Sequence, residues 1–210
     1  PLAQALGVRV LPGMLVDGAG AGLGIGDPRM VVETAYPGHA ITRDFRLNTL
    51  FPQVAALAAE SGAQWAHAAI LSSSAQSWNQ VAPIDPTQAS TIKYDPSLGE
   101  LRGPLDFGLA LSRLSPSPDK GQQRAVVIGD GDFLSNSYLA NGGNRAFGER
   151  VLDWLLGDDA LVALPPRGAP DRALKPTQFD LDLVTWGFLV ALPLLLLFIG
   201  AAIHWLRRRR

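Results

Sequence analysis

Cysteine is absent from this chain of 210 residues. That excludes disulfides, a thiolate nucleophile and thiolate-ligated zinc, but it leaves the compartment open, because exported domains often lack cysteine too. Histidine is scarce: His39, His67 and His204 lie far apart, and none belongs to an HExxH pattern, so no zincin-type metal site is expected. No serine sits in the GxSxG elbow that would hold it in a strained turn. The glycine-rich stretch GAGAGLGIGD at 18–27 lacks the Gly-Lys-Ser/Thr ending of a phosphate loop and reads as a flexible loop. Basic stripes are missing as well. Residues 1–182 hold 14 basic and 19 acidic side chains, a net charge of −5. Such an acidic body has nothing to follow a phosphate backbone, and nucleic acid is not an expected partner.

Charge is also missing from one long stretch. The 24 residues 183–206, LVTWGFLVALPLLLLFIGAAIHWL, contain no Asp, Glu, Lys or Arg. As a helix they would extend roughly 36 Å, enough to cross a hydrocarbon core of about 30 Å. Trp186 and Trp205 stand near the two ends, and Pro193 is tolerable inside such a helix. Asp180 and Asp182 precede the run and Arg207 to Arg210 follow it. The positive-inside rule then predicts a single C-terminal span in a bacterial inner membrane, a basic cytoplasmic tail at 207–210, and a main domain facing the periplasm or exterior. Residues 165–182, with four prolines and no apolar period, are expected to be a tether to a domain over 1–164. Because the chain begins at Pro1 inside a helical pattern, PLAQALG, it is expected to be part of a longer polypeptide.

Within the domain, the segments 30–36, 66–74, 105–114, 123–130 and 159–166 read as strands. QRAVVIGD at 123–130 is apolar on successive positions, the mark of a parallel-type strand buried on both faces. Phe147, Val151, Trp154 and Leu155 recur at helical spacing, with Asn141 or Asn144 as the N-terminal cap and Gly157 just beyond the end. NTLFPQVAALAAESG at 48–62, with Pro52 in its first turn, predicts a second helix. Alternating strands and helices predict a layered α/β domain.

Two places could carry chemistry or a ligand. One is the serine loop Ser72, Ser73 and Ser74 after a strand. The other is the turn holding Asp130, Asp132 and Asn136, at a strand end where open α/β sheets gather ligands. Asp130 and Asp132 do not begin a calcium loop of the EF type, since Leu134 falls where an oxygen ligand is needed. A Ser74–His39–Asp130 set has no local support. The turn is read first as structural, with Gly131 permitting it and Asp132 or Ser135 bonding its backbone. It could also line a groove for a partner.

VVIGDGDFLSNSYLANGGNRAFGERVLDWLLGDD at 126–159 resembles the closing motif of the auxiliary extracytoplasmic subunits of ABC-type transport systems, the group that includes the gliding-motility-associated substrate-binding-like protein. YPGHAITRDFRLNTLFPQV at 36–54 and AILSSSAQSWNQ at 69–80 resemble further blocks of that group, as does a closing hydrophobic helix with a basic tail. The resemblance implies a fold related to class I glutamine amidotransferases, or flavodoxin-like, without the catalytic cysteine. It implies a longer parent chain with an N-terminal membrane anchor and ATPase and permease subunits as partners, and it does not imply amidotransferase chemistry; a non-enzymatic, membrane-anchored role without a cofactor is the first expectation. A hydrolase or amidotransferase-like enzyme of the envelope, or a ligand sensor, is the alternative.

Overall fold

The computed structural model describes residues 2–60, 64–84, 92–117, 121–157 and 185–208. A one-turn helix, α1 (Leu2–Ala5), opens the chain and is followed by β1 (Val8–Val10) and β2 (Met14–Val16). A 3₁₀ helix, Gly18–Leu23, precedes β3 (Met30–Glu33), β4 (Thr49–Pro52) and β5 (Leu57–Ala59). Then come β6 (Ala66–Ser72), β7 (Trp78–Gln80), a 3₁₀ turn at Pro96–Leu98, β8 (Asp106–Leu114), β9 (Gln122–Ile128) and helix α2 (Asn144–Leu155).

Every strand pair among the described residues is antiparallel. β1 pairs with β5, β2 with β7 and β3 with β4, while β6, β8 and β9 form a three-stranded sheet in that order. The expected layered α/β domain, amidotransferase-like or flavodoxin-like, is therefore not what forms: the body is a set of small antiparallel sheets with few helices. β9 shows why its pattern misled. Val126 and Ile128 pack against one apolar cluster, with Phe51, Ile70, Leu71, Phe107 and Phe147 at its centre. Ala125 and Val127 pack against a second cluster, built on Val8, Leu57, Leu109 and Leu111. β9 thus packs on both faces, but its residues are half-buried rather than buried. Here, however, the second face is covered by the β1–β5 pair rather than by crossover helices, so two-sided burial does not require parallel neighbours.

The helix expected over 48–62 is absent from its described part. Thr49–Pro52 is strand β4, and Leu57–Ala59 is strand β5. Pro52 ends β4 opposite Met30, and Gln53, at a left-handed φ of 54°, turns the chain at once. The region expected to be a flexible loop, 18–27, instead holds the 3₁₀ helix, whose first turn is capped by the Asp17 carboxylate through Ala19 N at 2.9 Å. Helix α2 forms where its spacing predicts. Phe147, Val151 and Trp154 are buried, and an Arg145–Glu149 ion pair lies on the outer face. Gly157 adopts φ +80° just past the end, as the left-handed position requires. Neither expected asparagine caps the start: Gly143 is the cap residue, and the Asn144 side chain is used elsewhere.

The β6–β8 pairing carries two irregularities. Ala69 faces Leu109, Leu71 faces Gly108 and Ser72 faces Asp106, so Ile70 and Phe107 are left without partners. Both are fully buried, as is Leu71. Gly108 is required here, because a Cβ on it would lie 2.7 Å from Leu71 Cδ1.

The chain divides into two units, Pro1–Asp171 and Arg172–Arg210. In the second, a π-helical segment, Gly187–Ala191, precedes α3 (Leu192–Arg208). Pro193 cannot donate to the carbonyl four residues back, which accounts for irregular winding just before it. The regular helix has 17 residues and ends in Arg207 and Arg208, so it extends only about 26 Å. Among the described residues, no helix is long and apolar enough to cross a membrane. The single-pass span expected over 183–206 is corrected accordingly, and the inner-membrane placement that rested on it loses its support. The tether expected over 165–182 and the strand expected over 159–166 lie outside the described residues.

Candidate functional site

The serine loop leaves β6 at the point where β3 ends and β8 begins, and carboxylates from neighbouring elements take hold of it. Ser72 N donates to Glu33 Oε2 at 3.0 Å, and Ser72 Oγ donates to Asp106 Oδ1. Ser74 N and Ser74 Oγ both donate to Asp17, at 2.9 and 2.7 Å. Between them, Ser73 Oγ accepts from Leu105 N at 2.9 Å and shares a hydrogen bond with Ser77 Oγ at 2.6 Å. Ser77 Oγ in turn donates to Ser74 O, which closes the turn. Each serine hydroxyl is thus engaged in holding the loop. Asp17 and Glu33 are almost wholly buried. Glu33 also accepts from Thr34 N at 3.1 Å and Ala35 N at 3.0 Å. Burial raises its carboxyl to about 7, against those backbone donors and with the Asp17 charge adding to the rise.

Sequence reading missed Asp17, Glu33 and Asp106. Two signals were present. Asp17 stands directly before a run of small residues, where a side-chain cap belongs. Glu33 ends the apolar strand segment MVVE, where a lone carboxylate has to be either solvated or fully bonded.

The second candidate place sits apart. Asp130 follows β9, and its Oδ1 accepts from Asp132 N at 2.6 Å. Its other oxygen, Oδ2, is buried and has no hydrogen-bond partner among the described residues. Burial pushes Asp130 up to about 6, and the neighbouring Asp132 charge contributes in the same direction. Asp132 and Asn136 are exposed, and the turn closes through Ser135 N to Asp132 O at 2.8 Å. Among the described residues, no hydrogen bond joins this turn to Ser72, Ser73 or Ser74. Because the sheet is antiparallel, the switch-point argument for a ligand at Asp130 no longer applies. The Ser74–His39–Asp130 set is not assembled either. His39 Nδ1 accepts from Ile41 N at 3.2 Å, and its ring meets the Trp154 ring edge-on at 5.2 Å.

Asp130 gives a measurable consequence. Its folded-state value lies above the usual carboxylate value, so its favourable contribution is complete below about pH 4 and is lost as pH rises through about 6. Asp130→Asn keeps an acceptor for Asp132 N and cannot ionise. It is expected to match the parent near pH 4 and to be more stable by about 1 kcal/mol at pH 8, after allowance for solvent screening. Urea denaturation at the two pH values checks this. A variant less stable than the parent at pH 8 would show that the ionised carboxylate is held by bonds that favour its charge.

No protein-family model matches this chain, and no curated protein matches it.

Proposed function

We propose that this chain is a non-enzymatic auxiliary component, substrate-binding-like in character, that works with the ATPase and permease subunits of an ABC-type transport or surface-assembly system. Support comes from the three sequence blocks that resemble such subunits and, above all, from one observation. The serine loop, where a nucleophile would be sought, is consumed by hydrogen bonds to Asp17, Glu33 and Asp106. Those bonds position the loop. A ligand-sensing role at the turn after β9 is the second reading, favoured by Asp130 Oδ2, which is buried and without a hydrogen-bond partner among the described residues.

The deciding experiment purifies the tagged protein from its own cells and asks whether ABC-type ATPase and permease subunits come with it. Recovery of both at constant ratio, unchanged in Ser74→Ala and Asp130→Asn, is the expected result. Recovery of neither subunit, together with a hydrolytic activity that Ser74→Ala abolishes, would overturn the proposal.

A further inference from the structure

Of the five asparagines in the chain, Asn48, Asn79, Asn136, Asn141 and Asn144, only Asn141 precedes a glycine. Asn141, an expected cap for α2, does not serve as one: Gly143 is the cap residue, without a side-chain bond. Among the described residues, the Asn141 side chain makes no hydrogen bond and the Gly142 N–H donates to nothing. Asn141 is half-buried and Gly142 is exposed, so water and hydroxide reach both. The turn around them is fixed all the same. Asn141 N donates to Tyr138 O at 2.9 Å, Asn144 N donates to Asn141 O at 3.1 Å, and Gly143 N donates to Asn48 O at 2.7 Å. Glycine is required at 142, where φ is +50° and a Cβ would lie 2.4 Å from Asn48 O. The fold therefore sets a backbone nitrogen with no side chain to shield it beside a side-chain amide that nothing occupies.

The other asparagines are held or shielded. Asn79 bonds Pro12 O and Leu101 N through its side chain, and Asn144 bonds Leu50 and Phe133. Asn48 precedes the fully buried, β-branched Thr49. Asn136 is exposed, but the side chain of Ser137 crowds the amide that follows it.

We propose that Asn141–Gly142 is a self-modification site: the folded protein deamidates there, and the isoaspartate product loosens the joint between α2 and β4. This is independent of the transport reading. The Gly142 nitrogen gives its proton to hydroxide and attacks Asn141 Cγ. The N–Cγ bond forms, the Cγ–Nδ2 bond breaks, and Nδ2 takes a proton from water and leaves as ammonia. Water then opens the succinimide. Attack at Cγ gives aspartate. Attack at the main-chain carbonyl carbon gives isoaspartate, whose main chain runs through Cβ and Cγ and is longer by a methylene.

The two products act differently on the fold. Aspartate places a negative charge just ahead of α2, where a helix N-terminus favours it. Isoaspartate puts its extra methylene into the short link that leads to Gly143 and Asn144. Their bonds to Asn48 O and to Leu50 are the ones that tie α2 to β4.

The test incubates the full chain, folded and in urea, at neutral and at alkaline pH, and locates the products by peptide mass spectrometry. Enzymatic methylation of the free α-carboxyl counts isoaspartate. The folded protein is expected to gain the mass of an amide turned to an acid at Asn141 before any other asparagine, at a rate that rises with hydroxide. Asp17–Gly18 and Asp130–Gly131 can close the same ring only without a change of mass, so they do not contribute to this signal. Asn141→Gln should abolish the gain, because the larger ring closes far more slowly. The separated isoaspartate form should melt on the order of 5 °C below the parent. Asn141→Asp, the other product, should melt no lower than the parent. Should Asn141→Gln fail to fold, the comparison of folded with urea-treated parent decides alone. An Asn141 that reacts only in urea, or an isoaspartate form that melts with the parent, would overturn the proposal.

Discussion

Replacing Asn144 with alanine is expected to lower unfolding free energy by about 4 kcal/mol, a large part of what a domain of this size possesses. The side chain is fully buried at the start of α2 and spans two distant parts of the chain. Its Oδ1 accepts from Leu50 N at 2.8 Å, and its Nδ2 faces Leu50 O at 2.8 Å and Phe133 O and Tyr138 O at 3.1 Å each. Alanine would orphan one buried donor and weaken three acceptors, and each buried unsatisfied group costs about 1–3 kcal/mol. Asn144→Asp is expected to be worse, because an oxygen would replace the nitrogen that faces three carbonyl oxygens. Chemical denaturation of the purified variants measures both effects. A loss under about 1 kcal/mol for the alanine variant would mean that water enters and replaces the amide.

Phe147→Ala is expected to cost about 4–5 kcal/mol and to lower the melting midpoint by on the order of 10 °C. Phe147 is fully buried. Its ring centroid lies 6.1 Å from Tyr36, 5.9 Å from Phe45, and 6.1 Å from both Phe51 and Phe133. One truncation therefore removes apolar burial and four ring contacts together, and it opens a cavity between α2 and β4. Phe147→Leu retains most of the volume and should lose less than half as much. Equal melting midpoints for the parent and the alanine variant would show that the cluster collapses without loss.

These two residues show what the sequence made visible and what it did not. Helix α2 was legible because Phe147, Val151 and Trp154 repeat at helical spacing over about two turns, long enough for periodicity to decide. Asn144 was legible only as a polar residue near a helix start. Its real partners, Leu50 and Phe133, are set by tertiary packing, which no local pattern encodes. Strands β6 and β9 were legible as apolar runs and β8 as an alternating pattern with one polar face, although 107–111 is buried without interruption. Their direction was not, since two-sided burial is common to parallel strands and to an antiparallel sheet covered twice. The segment at 48–62 failed for a different reason. Short apolar runs fit either period, and Pro52 suits a helix's first turn, whereas pairing with Met30–Glu33 makes it the last residue of a strand. At the candidate site, the serines were visible and their holders were not, because Asp17, Glu33 and Asp106 are separated from them by dozens of residues in sequence.

The two unpartnered residues of the β6–β8 pair offset one another. Ile70 advances one strand by a step and Phe107 advances the other by a step, so Ala69 and Ser72 keep the same alignment with β8 on either side of the irregularity. The arrangement behaves like a vernier with opposed displacements. Deleting Ile70 alone would leave the Phe107 irregularity uncompensated, and once Phe107 took Ser72 as its partner, Ser73 would come opposite Asp106 and Glu33 would face the wrong amide. Removing Phe107 as well would restore the alignment, though with two fewer side chains in the core. Length changes in this part of the chain are therefore tolerated only in matched pairs, one on each strand, and a lineage that lost one residue would be under pressure to lose its counterpart.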